Sequence, residues 1–212
     1  MTAELHLNWL GSPRAILNNA GVALETRKVT ALLAYLSLTP EGARRETLAA
    51  LFWPEHDSER ALGNLRRVLW SLNRALGPEW LDPGYDLVRL QPKPGLHVDV
   101  RRFHELAGAH TGVGHPACPA CLAALEEAAG LYRGPFLEGL TLRDSPEFDE
   151  WQYFQGEELR AQMSAVLERL QAMLADAGRL EQALAAARRW VVLDRLHEPA
   201  QRALMALYDR AG

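Results

Sequence analysis

The stretch Asp57–Gly77 constrains the fold of this chain most strongly, because its apolar residues repeat with the period of a helix. Leucines recur at spacings of three and four residues, at Leu62, Leu65, Leu69, Leu72 and Leu76. This spacing puts them on one face, which we expect to be buried in a core. The opposite stripe carries polar and basic residues and no acidic residue: Arg60, Asn64, Arg67, Ser71 and Arg74, with Arg66 on its flank.

A stripe of this composition suits the surface of a nucleic acid. Guanidinium and amide groups can reach phosphates and base edges, so the helix is a candidate for reading DNA. The same stripe also fits a surface helix with solvated arginines, and the neighbouring elements must decide between the two. Trp70 projects partly outward, where it could pack on a following hairpin or touch DNA.

The elements around this helix predict a winged helix-turn-helix domain. In that fold the third helix enters the major groove and a hairpin contacts the backbone. Three short strands come first, then three helices, of which the first is capped by Thr26, and then a hairpin around the turn 91–95. The predicted strands are Leu5–Gly11, Ala15–Leu17, Val22–Leu24, Tyr85–Leu90 and Leu96–Val100, and the predicted helices are Arg27–Leu38, Arg45–Phe52 and Asp57–Gly77.

The second half of the chain reads as helices with a repeat. A long helix is expected from Pro146 to Ala177, followed by Arg179–Leu193 and Glu198–Ala211. The stops ADAGR and DRAG lie 34 residues apart, the period of tetratricopeptide helix pairs. We therefore predict a mainly α protein with a winged-helix domain at 1–105, a junction at 106–120 and an all-α repeat domain at 121–212. The repeat array is expected to continue past Gly212.

Charge and composition narrow the class of protein. The 212 residues carry a net charge of −4, with 13 basic and 11 acidic residues in 1–103 but 10 and 16 in 104–212. This asymmetry suggests two modules with different partners. There is no signal peptide and no apolar run long enough to span a membrane, so a bacterial cytoplasmic protein is expected.

The ordered motifs resemble a known family of bacterial regulators. RKVTALLAYLSL, RETLAALFWPE, ALGNLRRVLWSLNRALG and LHVDVRRF resemble the OmpR/PhoB-type winged helix of Streptomyces antibiotic regulatory proteins (SARPs). LYRGPFLEGL, SPEFDEWQ and the ending ALAAARRWVVLDRLHEPAQRALMALYDRAG resemble the bacterial transcriptional activator domain. The resemblance implies a transcriptional activator that binds direct repeats in promoter DNA, can form a homodimer, and contacts RNA polymerase or other transcription proteins.

The resemblance also implies which residues meet DNA. Asn64, Arg67, Ser71 and Arg74 would read bases, while Arg60 and Arg66 would contact phosphates. Arg44 and Arg45 from the second helix, and Lys93 from the wing, would contact the backbone. Asn73 stands where relatives commonly carry a basic residue, and fewer cations lower affinity.

A cluster of cysteine and histidine follows the winged-helix domain. His110, His115, Cys118 and Cys121 have the spacing H-x4-H-x2-C-x2-C, and thiolate and imidazole are zinc ligands. A single CxxC also fits two structural thiols or a redox pair, although no βαβ context favours a thioredoxin-type site. A structural zinc ion at the junction is one hypothesis, and no other cofactor is expected.

The sequence contains none of three common catalytic motifs. It has no phosphate-binding GxxxxGK[ST] loop, no HExxH and no GxSxG. The acidic residues near Glu147 start a helix, where they favour the positive end of its dipole. We therefore expect a DNA-binding regulator and no enzyme. The alternative is an interaction or signalling module that keeps the winged-helix fold without binding DNA.

Overall fold

The computed structural model describes residues 3–108 and 118–211, which form two compact units. One unit consists of Met1–Arg101 with Gly134–Gly156, and the other of Arg102–Arg133 with Glu157–Gly212. Each unit thus combines two separate stretches of chain. Within the described ranges, no helix is both long and apolar enough to cross a membrane.

The first unit alternates small sheets with short helices. Its elements up to the second unit are β1 (Leu5–Asn8), β2 (Arg14–Leu17), β3 (Ala20–Val22), α1 (Arg27–Leu38), β4 (Ala43–Arg44), α2 (Arg45–Phe52), α3 (Ser58–Leu76), β5 (Leu81–Asp82), β6 (Leu87–Leu90), β7 (Leu96–Val98) and the start of α4 (Asp99–Gly108). Helices α1 and α2 begin and end at the predicted residues. The predicted third helix is α3, and its N-cap is Asp57.

Side-chain caps explain where α1 and α3 begin. The Thr26 hydroxyl accepts a hydrogen bond from the amide of Val29 at 3.2 Å, and the Asp57 carboxylate accepts one from the amide of Arg60 at 2.9 Å. Both satisfy amides that have no partner inside the helix. At the other end of α3, Gly77 has a φ of 93°, a conformation that glycine adopts without steric cost.

A four-stranded sheet opens the unit, in the order β3-β2-β1-β7. Asn18 and Asn19 both have positive φ, which asparagine tolerates, and form the tight turn between β2 and β3. The prediction for the last strand was only partly right. β7 pairs in parallel with β1, with Leu7 opposite Val98, and the chain enters α4 at Asp99 instead of continuing as a strand to Val100.

The wing hairpin lies earlier in the chain than predicted. β5 pairs with β6, with Leu81 opposite Leu90, and β4 pairs with the other edge of β6. The turn of this hairpin is therefore 83–86, and the predicted turn at 91–95 is instead the link from one sheet to the other. The mistake follows from the non-local pairing of β7, which leaves β6 to pair with β5.

The segment Gly134–Gly156 packs into the core of the first unit. The Phe148 ring lies 5.2 Å from that of Phe52 and 5.3 Å from that of Trp151. The buried Ser145 donates a hydrogen bond to the Phe52 carbonyl at 2.9 Å. The aromatic residues near the start of the long helix thus belong to the winged-helix core.

The second unit is helical throughout its described residues. It contains most of α4, α5 (Pro119–Leu131), the larger part of α6 (Pro146–Asp176), α7 (Leu180–Leu193) and α8 (Glu198–Ala211). The predicted long helix is confirmed, and Gly178 stops it with a φ of 74°. Together the two units confirm the predicted class, a winged helix with small sheets followed by a helical domain.

Candidate nucleic-acid interface

Helix α3 is anchored on one face and open on the other. Leu65, Leu69, Leu72 and Leu76 are buried as the leucine spacing predicted, and Ala61 is buried with them. Leu62, which was predicted on the same face, is only half-buried. The amphipathic pattern thus fixes the rotation of the helix about its own axis. What remains outside the core on the opposite side is the candidate contact surface.

Arginines dominate this open face. Arg60, Arg66, Arg67 and Arg74 are all exposed, whereas Asn64 is half-buried. Within the described part of the chain, the guanidinium groups of Arg60, Arg66 and Arg67 make no hydrogen bond or ion pair. Their charge is therefore available to an anionic partner at no cost in internal contacts.

Ser71 does not belong to this open face, which corrects its predicted place in the stripe. The residue is only 8% exposed, and its hydroxyl donates a hydrogen bond to the Glu25 carboxylate at 2.8 Å. The residues before α1 cover this side of α3 near its C-terminal end. Periodicity alone could not reveal this, because Glu25 comes from 46 positions earlier in the chain.

The two arginines at the start of α2 have different environments. Arg45 donates hydrogen bonds to the carbonyls of Gly84 at 3.0 Å and Pro83 at 2.8 Å, so its guanidinium holds the hairpin turn. Arg44 is exposed and, within the described residues, has no side-chain partner. The geometry gives Arg45 a structural task and leaves Arg44 able to contact a ligand.

A groove runs between α2, α3 and the hairpin turn. It encloses about 950 Å³ and is lined by Arg44, Arg45 and Arg66 together with Leu62 and Tyr85. Tyr85 stands at the hairpin turn with 95% of its surface exposed. Tyr85 was predicted to begin a strand, although the Pro83-Gly84 pair just before it is a turn signal.

Lys93 lies in the link between β6 and β7, away from the hairpin turn. Its ammonium nitrogen is 5.7 Å from the centre of the Trp80 ring. The prediction placed Lys93 on the wing because it took 91–95 for the turn of the hairpin. The observed wing, with its turn at 83–86, does not include Lys93.

The CxxC pair lies at the start of α5. The sulfur atoms of Cys118 and Cys121 are 2.9 Å apart, and the Cys121 amide donates to the Cys118 sulfur at 3.3 Å. The hydrogen bond with Cys118 raises the pKa of the Cys121 thiol, and burial adds to this. His110 and His115 lie outside the described residues. Among those described, no three His, Cys, Asp or Glu side chains could hold a metal, so the zinc site stays a prediction.

The helical unit is held by arginines that bind within it. Arg160 forms ion pairs with Glu157 at 2.8 Å and Asp194 at 3.3 Å. Arg189 donates to the carbonyls of Ala129, at 2.7 Å, and Tyr132. The guanidinium groups of Arg160 and Arg189 are thus already paired within the protein, unlike those of Arg60, Arg66 and Arg67 on α3. Apolar side chains nevertheless stay exposed on α7, on α8 and in the turn between them, at Val192, Leu196, Met205 and Tyr208.

Comparison with known proteins decides the family. The bacterial transcriptional activator domain matches residues 98–212, more than half of the chain. The chain belongs to the bacterial transcriptional activator domain family. Because a winged helix precedes this domain, the regulator is SARP-like, as its motifs predicted.

A solved structure has the same fold as this regulator. EmbR of Mycobacterium tuberculosis, determined in complex with a low-affinity phosphopeptide, superposes with a TM-score of 0.71 at 20% sequence identity. The match covers 98% of this chain and 55% of EmbR, so this chain spans about half the length of that relative. No curated protein sequence matches this chain significantly.

Proposed function

We propose that this regulator activates transcription by binding promoter DNA through α3. The observation that carries the proposal is the set of exposed arginines on the open face of that helix. Arg60, Arg66 and Arg67 are held outside the core with no partner in the described chain, while leucines anchor the opposite face. Phosphate contacts supply most of the affinity of such a surface, and arginines can also read guanine edges.

The groove beside α3 supports the same function. Its lining combines Arg44 and Arg66 with the hairpin-turn residue Tyr85. A basic groove next to a helix in the major groove suits a sugar-phosphate strand. Arg45 contributes by fixing the turn through its two hydrogen bonds to backbone carbonyls.

The helical repeats would bind protein partners. Residues 104–212 hold 16 acidic and 10 basic residues, a charge unsuited to DNA. The exposed apolar side chains on α7 and α8 suit a protein surface. We assign this unit to contacts with RNA polymerase or other transcription proteins, and to dimerisation on direct repeats of promoter DNA. This activity places the regulator in the cytoplasm.

Binding measured at several salt concentrations tests the proposal. Duplexes are selected by the 212-residue chain from a random pool, and their dissociation constants are then measured between about 50 and 200 mM salt. Each phosphate contact contributes a slope of about −0.9 to the plot of log K against log salt. Arg67→Ala should weaken binding, and should lower the slope by about one if Arg67 contacts a phosphate.

A charge-matched variant controls for the loss of one cation. Arg14 is exposed on β2, outside α3, the groove and the helical unit, so Arg14→Ala changes the net charge equally but should leave DNA affinity unchanged. If the folded chain selects no duplex even at low salt, the proposal fails. A protein partner that binds in high salt would then favour the interaction module without DNA binding.

A further inference from the structure

The tryptophan at the centre of α3 is not used by the core. Trp70 keeps 62% of its surface exposed, and among the described residues of α3 it is the only large apolar side chain so exposed. The guanidinium carbon of Arg74 lies 5.3 Å from the centre of the indole, a cation–π contact one turn along the helix. The indole is thus supported on the open face, where water covers most of it.

The surroundings of Trp70 determine what kind of partner can cover it. Arg66, Arg67 and Arg74 lie on the same open side of the helix and give it a positive charge. The partner must therefore be anionic and must still offer an apolar group within reach of the indole. The major groove of DNA meets both requirements, because each thymine presents a C5 methyl group there between polar base edges.

We propose that Trp70 is a specificity-determining residue that reads the C5 methyl group of thymine in the major groove. The inference rests on the proposed function, since it requires α3 to lie on DNA. Burying one methyl group against the indole predicts about a fourfold gain in affinity over a base without it. Arg74 acts as a positioning residue, because its contact restricts the orientation of the ring.

Uracil substitution isolates the methyl group, because uracil differs from thymine only in lacking it. Each thymine of a selected duplex is replaced in turn by deoxyuridine, and the dissociation constant is measured for the wild-type chain. We expect about a fourfold loss at one or two positions and none elsewhere. The same duplexes are then bound to Trp70→Ala, which should be insensitive to uracil at those positions.

The outcomes separate this inference from the function on which it rests. Affinity of the wild-type chain that is unaffected by uracil at every thymine overturns it, and so does an equal uracil penalty in Trp70→Ala. Both results leave DNA binding intact. Failure to select any duplex overturns the proposed function together with this inference. Because Trp70 is mostly exposed, its replacement leaves no cavity, and an unchanged thermal transition confirms that the variant is folded.

Discussion

Replacing Gly63 by alanine should stabilise the protein and weaken its binding to DNA. Gly63 lies inside α3 between Arg60 and Arg67, and a Cβ atom added there meets no atom within 4 Å. Its φ lies outside the left-handed region, so nothing in the backbone requires glycine at this position. A glycine in a helix interior costs about 0.5–1 kcal/mol relative to alanine.

The free energy of unfolding should therefore rise by about 0.5–1 kcal/mol in Gly63→Ala. In the complex with DNA, the added methyl group would project from the face of α3 that enters the major groove. Overpacking of a close contact costs about 1–3 kcal/mol, which corresponds to roughly a 5- to 150-fold loss of affinity. Denaturant unfolding and fluorescence anisotropy with a selected duplex measure the two effects separately.

Gly130 in α5 provides the matched control. It is an exposed helical glycine, and an added Cβ atom there also meets nothing within 4 Å. Gly130→Ala should leave the affinity for DNA unchanged. The reasoning is refuted if Gly63→Ala binds DNA as tightly as the wild-type chain, or if it is less stable than the wild type.

Three further predictions concern the arginines at the start of α2, the Lys28–Asp144 ion pair and the CxxC pair. Arg45→Ala should destabilise the first unit, because two hydrogen bonds to the hairpin turn are lost, whereas Arg44→Ala should weaken DNA binding and leave the denaturation midpoint unchanged; an equal loss of stability in both would contradict the assignment. The hydrogen bond from Lys28, at 2.8 Å, lowers the pKa of Asp144. The ion pair therefore stabilises the folded state at neutral pH, and this contribution to the free energy of unfolding is lost as the pH falls through the lowered pKa. Asp144→Asn should therefore lose less stability than the wild type between pH 6 and pH 3, and identical acid profiles would refute this. If the CxxC pair binds zinc, metal analysis should find about one zinc ion per chain, which Cys118→Ser removes, whereas a zinc-free wild-type chain would leave the pair as thiols.

Most of the helices can be predicted from short stretches of sequence. Residues within a few positions of one another determine several features: the bounds of α1 and α2, the cap of α3, the start of α6 at Pro146 and the turn at Asn18-Asn19. Caps, turns and periodic apolar faces act over one or two turns of chain, so they can be read locally. The family followed from motifs in a fixed order along the chain.

Long-range packing determines which residues the candidate surface contains. The parallel pairing of β7 with β1 moved the wing to 83–86 and removed Lys93 from it. Glu25 took Ser71 into a buried hydrogen bond, and Arg45 was used to hold the hairpin turn. These contacts join residues between 38 and about 90 positions apart, and no local pattern in the sequence encodes such distances. Helical periodicity shows which face of α3 can be exposed, but only the packing of distant segments against that face determines which of its residues stay exposed.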